Sequence, residues 1–209
     1  MKDNVRFYFS FRSPYSWLGT YRLQNIIKEL PVSFELIPVF PPKDFKNDPE
    51  AIPNKVKYIG GDIKRIASAY GLTVNWPKVF DTNWIRPHAA FYSAQDQGKG
   101  LAFSLAMHKA RFCDGQDLGD IHVIKNIAKE LDLDSQAVAE AADNRSFHKR
   151  IIKGLAIADK DHIFGVPTFK YKDQTYWGND RIDWLIRDIN RDNEKSIPDL
   201  ITDPFQRPF

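Results

Sequence analysis

The chain has 209 residues, 43% of them hydrophobic, enough to bury a substantial core in one compact domain or in a domain carrying a large insertion. Its single cysteine, Cys113, excludes an intrachain disulfide framework and any zinc site built on paired cysteines, and it fits a reducing compartment. With 30 basic against 27 acidic side chains the formal charge is only +3, which gives no argument for a nucleic-acid partner; an anionic small molecule suits that balance, as does an ordinary solvated surface.

In chain order, MKDNVRFYFSF runs straight into a strand-like segment at residues 5–11, so no secretory leader is expected and the expected location is cytoplasmic. No stretch approaches membrane length. Residues 14–30 place Trp17, Tyr21, Leu23, Ile26, Ile27 and Leu30 at helical spacing ahead of Pro31, and VSFELIPVF (32–40) reads as a second strand. This opening predicts a βαβ unit with parallel strands. After the proline-rich PPKDFKNDPEAIP only helical patterns follow: Val56, Ile59, Ile63, Ile66 and Tyr70, then 86–97 and 101–113. Next come Ile121, Ile124, Ile127 and Leu131 behind Asp120 as N-cap, and finally 135–143 and 146–160. VPTFKY (166–171) and QTYWG (174–178) flank Lys172 and Asp173 as a tight hairpin. A last helix starts near Asn179 and turns Ile182, Leu185, Ile186 and Ile189 inward, and the tail from Ser196, with three prolines, is expected to be extended.

The order βαβ, helices, ββα predicts an α/β thioredoxin fold with a large inserted all-helical domain, the DsbA-like arrangement of bacterial thiol oxidoreductases. Residues 1–50 and 161–209 form the discontinuous thioredoxin-like part and 51–160 the insertion. In open α/β sheets the ligand crevice lies beyond the carboxyl ends of the strands. That points to SFRSPYSWLG, residues 10–19.

Ser13 followed by Pro14 is a favourable helix start, because serine caps the first turn and proline at the first helical position loses no hydrogen bond. A hydroxyl also keeps one hydrogen to donate outward. A redox protein of this fold carries C-x-x-C at this helix start, where the dipole stabilises a thiolate. Here the four residues are Ser13, Pro14, Tyr15 and Ser16, so disulfide exchange is excluded, while the same environment remains suited to a thiolate brought in by a ligand.

SPYSWLG is very similar to the corresponding stretch of the kappa-class glutathione transferases, and FGVPTF (164–169) with YWGNDR (176–181) resembles the 2-hydroxychromene-2-carboxylate isomerase family. IPNKVKYIGGDIKRIASAYG resembles the P-x-K-x-x-Y-x-x-x-D-x-x-R pattern of that superfamily. The resemblance implies a glutathione-dependent isomerase that acts on an unsaturated aromatic acid by reversible thiolate addition, with Ser13 as the catalytic residue that holds the glutathione sulfur as thiolate. It implies a cis bond at Pro167, main-chain recognition of glutathione by Val166, and a second glutathione segment of Trp177, Gly178, Asn179 and Asp180. One of Asn179 and Asp180 is expected to cap the last helix. Lys43 falls on a family lysine that contacts substrate; Asn47, in the same loop, is a second and weaker candidate for substrate binding, because that loop departs from the isomerase pattern. A homodimer is implied as well.

Two alternatives stand beside this reading: a kappa-class transferase conjugating glutathione to small electrophiles, and a noncatalytic DsbA-like binding or chaperone module without redox cysteines. Trp84, with Trp76 and Phe80, is a candidate lining for an apolar substrate pocket, although aromatic residues at such spacing also serve as core. His88, His108, His122, His148 and His162 show no metal-ligand spacing and receive no role, and Cys113 reads as a buried or incidental helix residue.

Overall fold

The computed structural model describes residues 3–40 and 52–193. Strand β1 (Asn4–Phe9), helix α1 (Pro14–Ile26) and strand β2 (Ser33–Pro38) open the chain. Six helices follow: α2 (Pro53–Ala69), α3 (Ile85–Asp96), α4 (Gly100–Phe112), α5 (Ile121–Glu130), α6 (Ser135–Ala142) and α7 (Arg145–Lys160). Strands β3 (Thr168–Tyr171) and β4 (Gln174–Trp177), a 3-10 turn (Asn179–Arg181) and α8 (Ile182–Asp192) complete the described fold. The sheet order is β2-β1-β3-β4, with β1 parallel to β2 and antiparallel to β3, and β4 antiparallel to β3. This is the DsbA-like thioredoxin topology that the order of the elements predicts.

Boundaries differ where a local constraint intervenes. The first strand ends at Phe9 because residues 10–13 already turn, closed by the Ser13 N–H donating to Ser10 O at 3.1 Å. The third begins at Thr168, not at 166, because Pro167 has no N–H to offer a ladder. Helix α1 stops at Ile26, four residues short of the expected end.

Central strand β1 is buried on both faces. Val5, Phe7 and Phe9 join a large cluster with Leu23 of α1, Phe91 of α3 and Leu185, Ile186 and Ile189 of α8, while Tyr8 packs on the other face with Ile37 and with Ala158 of α7. Phe7 stacks on Phe169 across the β1–β3 pair with centroids 4.5 Å apart, and Phe9 meets Phe91 edge-on at 5.2 Å. One continuous core thus runs from the sheet into the inserted helices. A second, smaller cluster gathers Trp17 and Leu18 of α1, Ile63 and Ala67 of α2, and Phe112 of α4. The apolar stripe of α2 covers the start of α1 through this cluster, with Ile59, Ile66 and Tyr70 packed around it; Val56, expected in the stripe, is exposed.

Two histidines lie fully inside. His88 of α3 has Nδ1 2.6 Å from Trp84 O and accepts at Nε2 from the Phe11 N–H at 3.4 Å; His108 of α4 has Nε2 3.3 Å from Ser10 O. Carbonyl oxygens only accept, so the proton sits on Nδ1 of His88 and on Nε2 of His108. Burial holds both rings neutral, pushing His88 down to about 4 and His108 to about 3, and it outweighs the neighbouring carbonyls that favour the charged forms.

Each native value lies below the ordinary 6.5, so between pH 6.5 and about 4 the unfolded chain binds protons that the folded chain does not. Stability therefore falls as the pH falls through this window, by up to about 1.4 kcal/mol per pH unit for each histidine. Urea titrations between pH 7.5 and pH 4.5 measure this, and replacing both histidines by glutamine is expected to flatten the slope. An unchanged slope would refute the assignment.

Candidate active site

The site begins at the turn from β1 into α1. Ser13 has extended backbone angles (φ −89°, ψ 117°), and its Oγ accepts from the Ser16 N–H at 3.2 Å, while Ser13 O accepts from the Trp17 N–H at 3.2 Å. Pro14 fills the first helical position. The turn is braced from within. Ser10 N–H donates to Ser16 Oγ at 3.2 Å, Arg12 N–H donates to Ser10 Oγ at 3.3 Å, and Thr20 Oγ1 donates to Ser16 O at 2.8 Å. Ser16, which stands where a second redox cysteine would, is fully buried and its hydroxyl is committed to this bracing. Ser13 is half-buried, and its hydrogen points at Val166 O across 3.5 Å, the outer limit of a hydrogen bond. A weak bond of this kind is readily exchanged for a stronger acceptor, and the first turn of α1 carries no acidic side chain to offset its positive end.

Facing Ser13 is the loop that enters β3. The Val166–Pro167 bond is cis, the isomer that the family resemblance implies. The Pro167 ring lies against Gly19 of α1 so closely that a Cβ there would stand 3.2 Å from Pro167 Cβ and 3.3 Å from Cγ. Pro167 O accepts from the Gly178 N–H at 2.9 Å and Thr168 Oγ1 donates to Gly165 O at 2.6 Å, which ties the loop to the end of β4 and to itself. The Trp177 indole lies over Gly165, where a Cβ would meet Nε1 at 2.7 Å, and Phe164 meets Trp177 edge-on at 5.1 Å. Both rings are more than half exposed and form an apolar wall beside the loop.

Gly178 adopts φ +112°, a region closed to side chains, and the Asp180 carboxylate oxygen lies 2.5 Å from where its Cβ would be. Neither Asn179 nor Asp180 caps the last helix. The expected cap is replaced by the 3-10 turn, and α8 starts behind Arg181 with no side-chain cap bond. Asn179 is buried instead, and its main-chain oxygen accepts from Arg22 Nη1 while Arg22 Nη2 donates to Asp183 Oδ1 at 2.8 Å. Arg22 therefore clamps this turn to α1. Asp180 is largely exposed, 3.5 Å from Arg181, and an exposed pair of this kind holds a carboxylate only loosely.

The third quoted pattern also acquires a place. Asp62 of α2 accepts from the Tyr15 hydroxyl at 2.8 Å and from Arg65 Nη1 at 2.6 Å, binding the insertion to the residue two beyond Ser13. Burial, and then Asp62, raise the Tyr15 phenol above its ordinary value, so Tyr15 is a strut that keeps its proton.

The structure thus brings Ser13, Val166, Pro167, Trp177 and Gly178 together, with Asn179 and Asp180 adjoining. Trp84 belongs to the main core, its Nε1 donating to Asp81 Oδ1 at 2.9 Å and its ring covered by the Arg111 guanidinium at 4.5 Å. Trp76 and Phe80 stack near Phe112. Lys43 and Asn47 lie outside the described residues. Cys113 caps α4 at a distance in sequence from the site, and burial pushes its thiol up, away from the reactive thiolate. Among the described residues no three His, Cys, Asp or Glu side chains cluster to hold a metal, and no helix is long and apolar enough to cross a membrane.

Sequence reasoning missed Arg22, the Tyr15–Asp62 bond, the Ser10 and Ser16 bracing and the two buried histidines. Only Asp62 carried a signal, through its place in the quoted pattern.

A family model described as a DSBA-like thioredoxin domain matches residues 4–190. A 2-hydroxychromene-2-carboxylate isomerase from Sphingobium xenophagum is 27% identical over 192 residues, 88% of this chain and 97% of that one. A solved 2-hydroxychromene-2-carboxylate isomerase superposes with a TM-score of 0.82 at 22% identity, covering 91% of this chain and 96% of its own. The cytosolic disulfide reductase DsbM from Pseudomonas aeruginosa, in a structure with GSH, superposes at 0.61 and 16% identity, covering 82% and 87%.

The Gly19–Pro167 contact yields a prediction. Replacing a helical glycine by a larger residue gains up to about 1 kcal/mol of helix propensity, but valine at 19 must push back Pro167. Overpacking of this kind costs about 1–3 kcal/mol, so Gly19→Val is expected to lower the melting temperature and Gly60→Val, with nothing within 4 Å of its Cβ position, to leave it nearly unchanged. Equal effects at the two positions would contradict the close docking of α1 on the loop.

Proposed function

The chain belongs to the DSBA-like thioredoxin domain family, and from that premise we propose that it is a glutathione-dependent isomerase of the 2-hydroxychromene-2-carboxylate isomerase type, acting on an unsaturated aromatic acid. The observation that carries this reading is the Ser13 hydroxyl at the amino end of α1, 3.5 Å from Val166 O of the cis-proline loop, where the redox proteins of the family place a cysteine. The names of the relatives support the isomerase, and the DsbM structure with GSH supports glutathione as a ligand of this fold.

The donor set fits the cofactor. Ser13 Oγ–H has one weakly engaged hydrogen to direct at a sulfur anion, and the amino end of α1, whose first turn carries no acidic residue of its own, adds favourable electrostatics. Val166 stands just outside the ladder of β3 and can pair its main chain with an extended peptide, a strand-addition mode of binding. The loosely held Asp180 carboxylate suits the γ-glutamyl ammonium, with Arg22 and Gly178 setting the position of its turn and Asn179 shaping that turn from within. Glutathione, when bound, supplies a thiolate that adds reversibly to the conjugated double bond of the substrate and leaves again, so that rotation gives the isomer and the cofactor is not consumed. Trp177 and Phe164 offer the apolar wall for an aromatic ring, and Lys43 is assigned on sequence grounds alone to neutralise the substrate carboxylate.

A kappa-class transferase is favoured by SPYSWLG and differs in one measurable respect: it consumes glutathione. In Ser13→Ala the thiol pKa of bound glutathione, followed by thiolate absorbance, is expected to rise by about one unit, equal to about 1.4 kcal/mol. Turnover of 2-hydroxychromene-2-carboxylate is expected to fall at least about tenfold, with the glutathione Kd nearly unchanged. Absence of glutathione binding by calorimetry would eliminate the reading in favour of a noncatalytic module, and stoichiometric loss of glutathione during turnover would replace isomerase by transferase.

A further inference from the structure

We propose that His88 and His108, carried by α3 and α4 of the insertion, are positioning residues for Ser13; this rests on the reading of Ser13 as the residue that holds the glutathione sulfur. Neither histidine touches Ser13. Each instead holds the main chain of the two residues that lead out of β1, His88 Nε2 accepting from the Phe11 N–H at 3.4 Å and His108 Nε2–H donating to Ser10 O at 3.3 Å.

Ser10 O is the same atom that accepts from the Ser13 N–H at 3.1 Å. One carbonyl therefore receives two donors, one from the insertion and one from the residue whose hydroxyl matters. Both rings are closely packed: His88 is anchored at Nδ1 by Trp84 O and faces Phe11 and Phe40, and His108, whose Nδ1 makes no hydrogen bond, lies against Phe9, Phe11 and Phe112. Both side chains are fully buried, so their orientation passes to the turn with little play. Ordinary apolar packing would have filled the same space without a polar atom. Burying two imidazoles beside aromatic rings costs desolvation that a core alone does not require; Trp84 O recovers part of it for His88, and the Nε2 atoms of both rings recover part of it on the turn before Ser13.

The consequence is a division of labour. Ser16 and Thr20 brace the turn from within α1, and the histidines brace it from the insertion, so that Ser13 Oγ is aimed at the cis-proline loop before a ligand arrives. Placement errors of about 1 Å can cost about a hundredfold in rate, and a hydrogen bond to a thiolate is as sensitive to direction as one to any other acceptor.

The test uses amides of different reach. Glutamine carries its amide to the level of the imidazole Nε2, whereas asparagine reaches only the level of Nδ1. At His108 and, separately, at His88, asparagine is expected to raise the thiol pKa of bound glutathione by about half a unit or more and to lower kcat about fivefold to tenfold, while the glutathione Kd changes less than about threefold. His108→Gln and His88→Gln are expected to recover most of both losses. Equal behaviour of glutamine and asparagine at both positions, including loss of fold in both, would overturn the proposal. Ser13→Ala, measured alongside, separates the two levels. If it leaves the thiol pKa unmoved, the reading of Ser13 itself fails; if it moves the pKa while the asparagine variants do not, only the positioning role fails.

Discussion

The hydrogen bonds of Ser10 are the constraint on which the rest of the molecule depends. Its N–H, its carbonyl and its hydroxyl are all engaged, to Ser16, to Ser13 and His108, and to Arg12, within a turn of four residues between the central strand and the first helix. A buried turn is tolerable only when its polar groups are paired. Because they are paired within the turn and to two separate helices, α1 and α4, the direction in which α1 leaves the sheet is set, and with it the place of the Ser13 hydroxyl.

The opposite wall of the site is set by packing. Pro167 against Gly19 and Phe7 against Phe169 bring the second half of the chain onto the first, and Gly178 closes the contact by donating to Pro167 O. Fully burying one phenylalanine is worth about 1.5–3 kcal/mol, whereas exposed ion pairs such as Asp180–Arg181 contribute at most about 1 kcal/mol. The wall is therefore built by apolar contact, and the charged pair beside it stays exposed to solvent.

The insertion is more than a cover. Its helices share the main core through Phe91, they pin Tyr15 through Asp62, and they reach the Ser13 turn through two neutral imidazoles. Neutrality matters here, because a charged ring at the same depth would require a counter-charge that none of the hydrogen bonds described around it supplies.

Much of the fold was legible in the sequence. Period-two and helical patterns, Asp120 as an N-cap and the Ser13–Pro14 helix start are local properties, governed by neighbours a few residues away, and they survive into the structure with small shifts at the ends. The juxtaposition of Ser13 with the cis-proline loop was legible only through family resemblance, since 153 residues separate Ser13 from Val166. The Arg22 clamp and the imidazoles on Ser10 and Phe11 were not legible at all, Asp62 was marked only by its place in the quoted pattern and not by its bond to Tyr15, and the expected cap at Asn179 or Asp180 was replaced by a tight turn. Local pattern determines which segments become strand or helix, because those choices depend on short-range sterics and on one buried face. Which polar groups meet at the site is decided only when distant elements pack, because a hydrogen bond forms within a few tenths of an ångström and no sequence period encodes that distance.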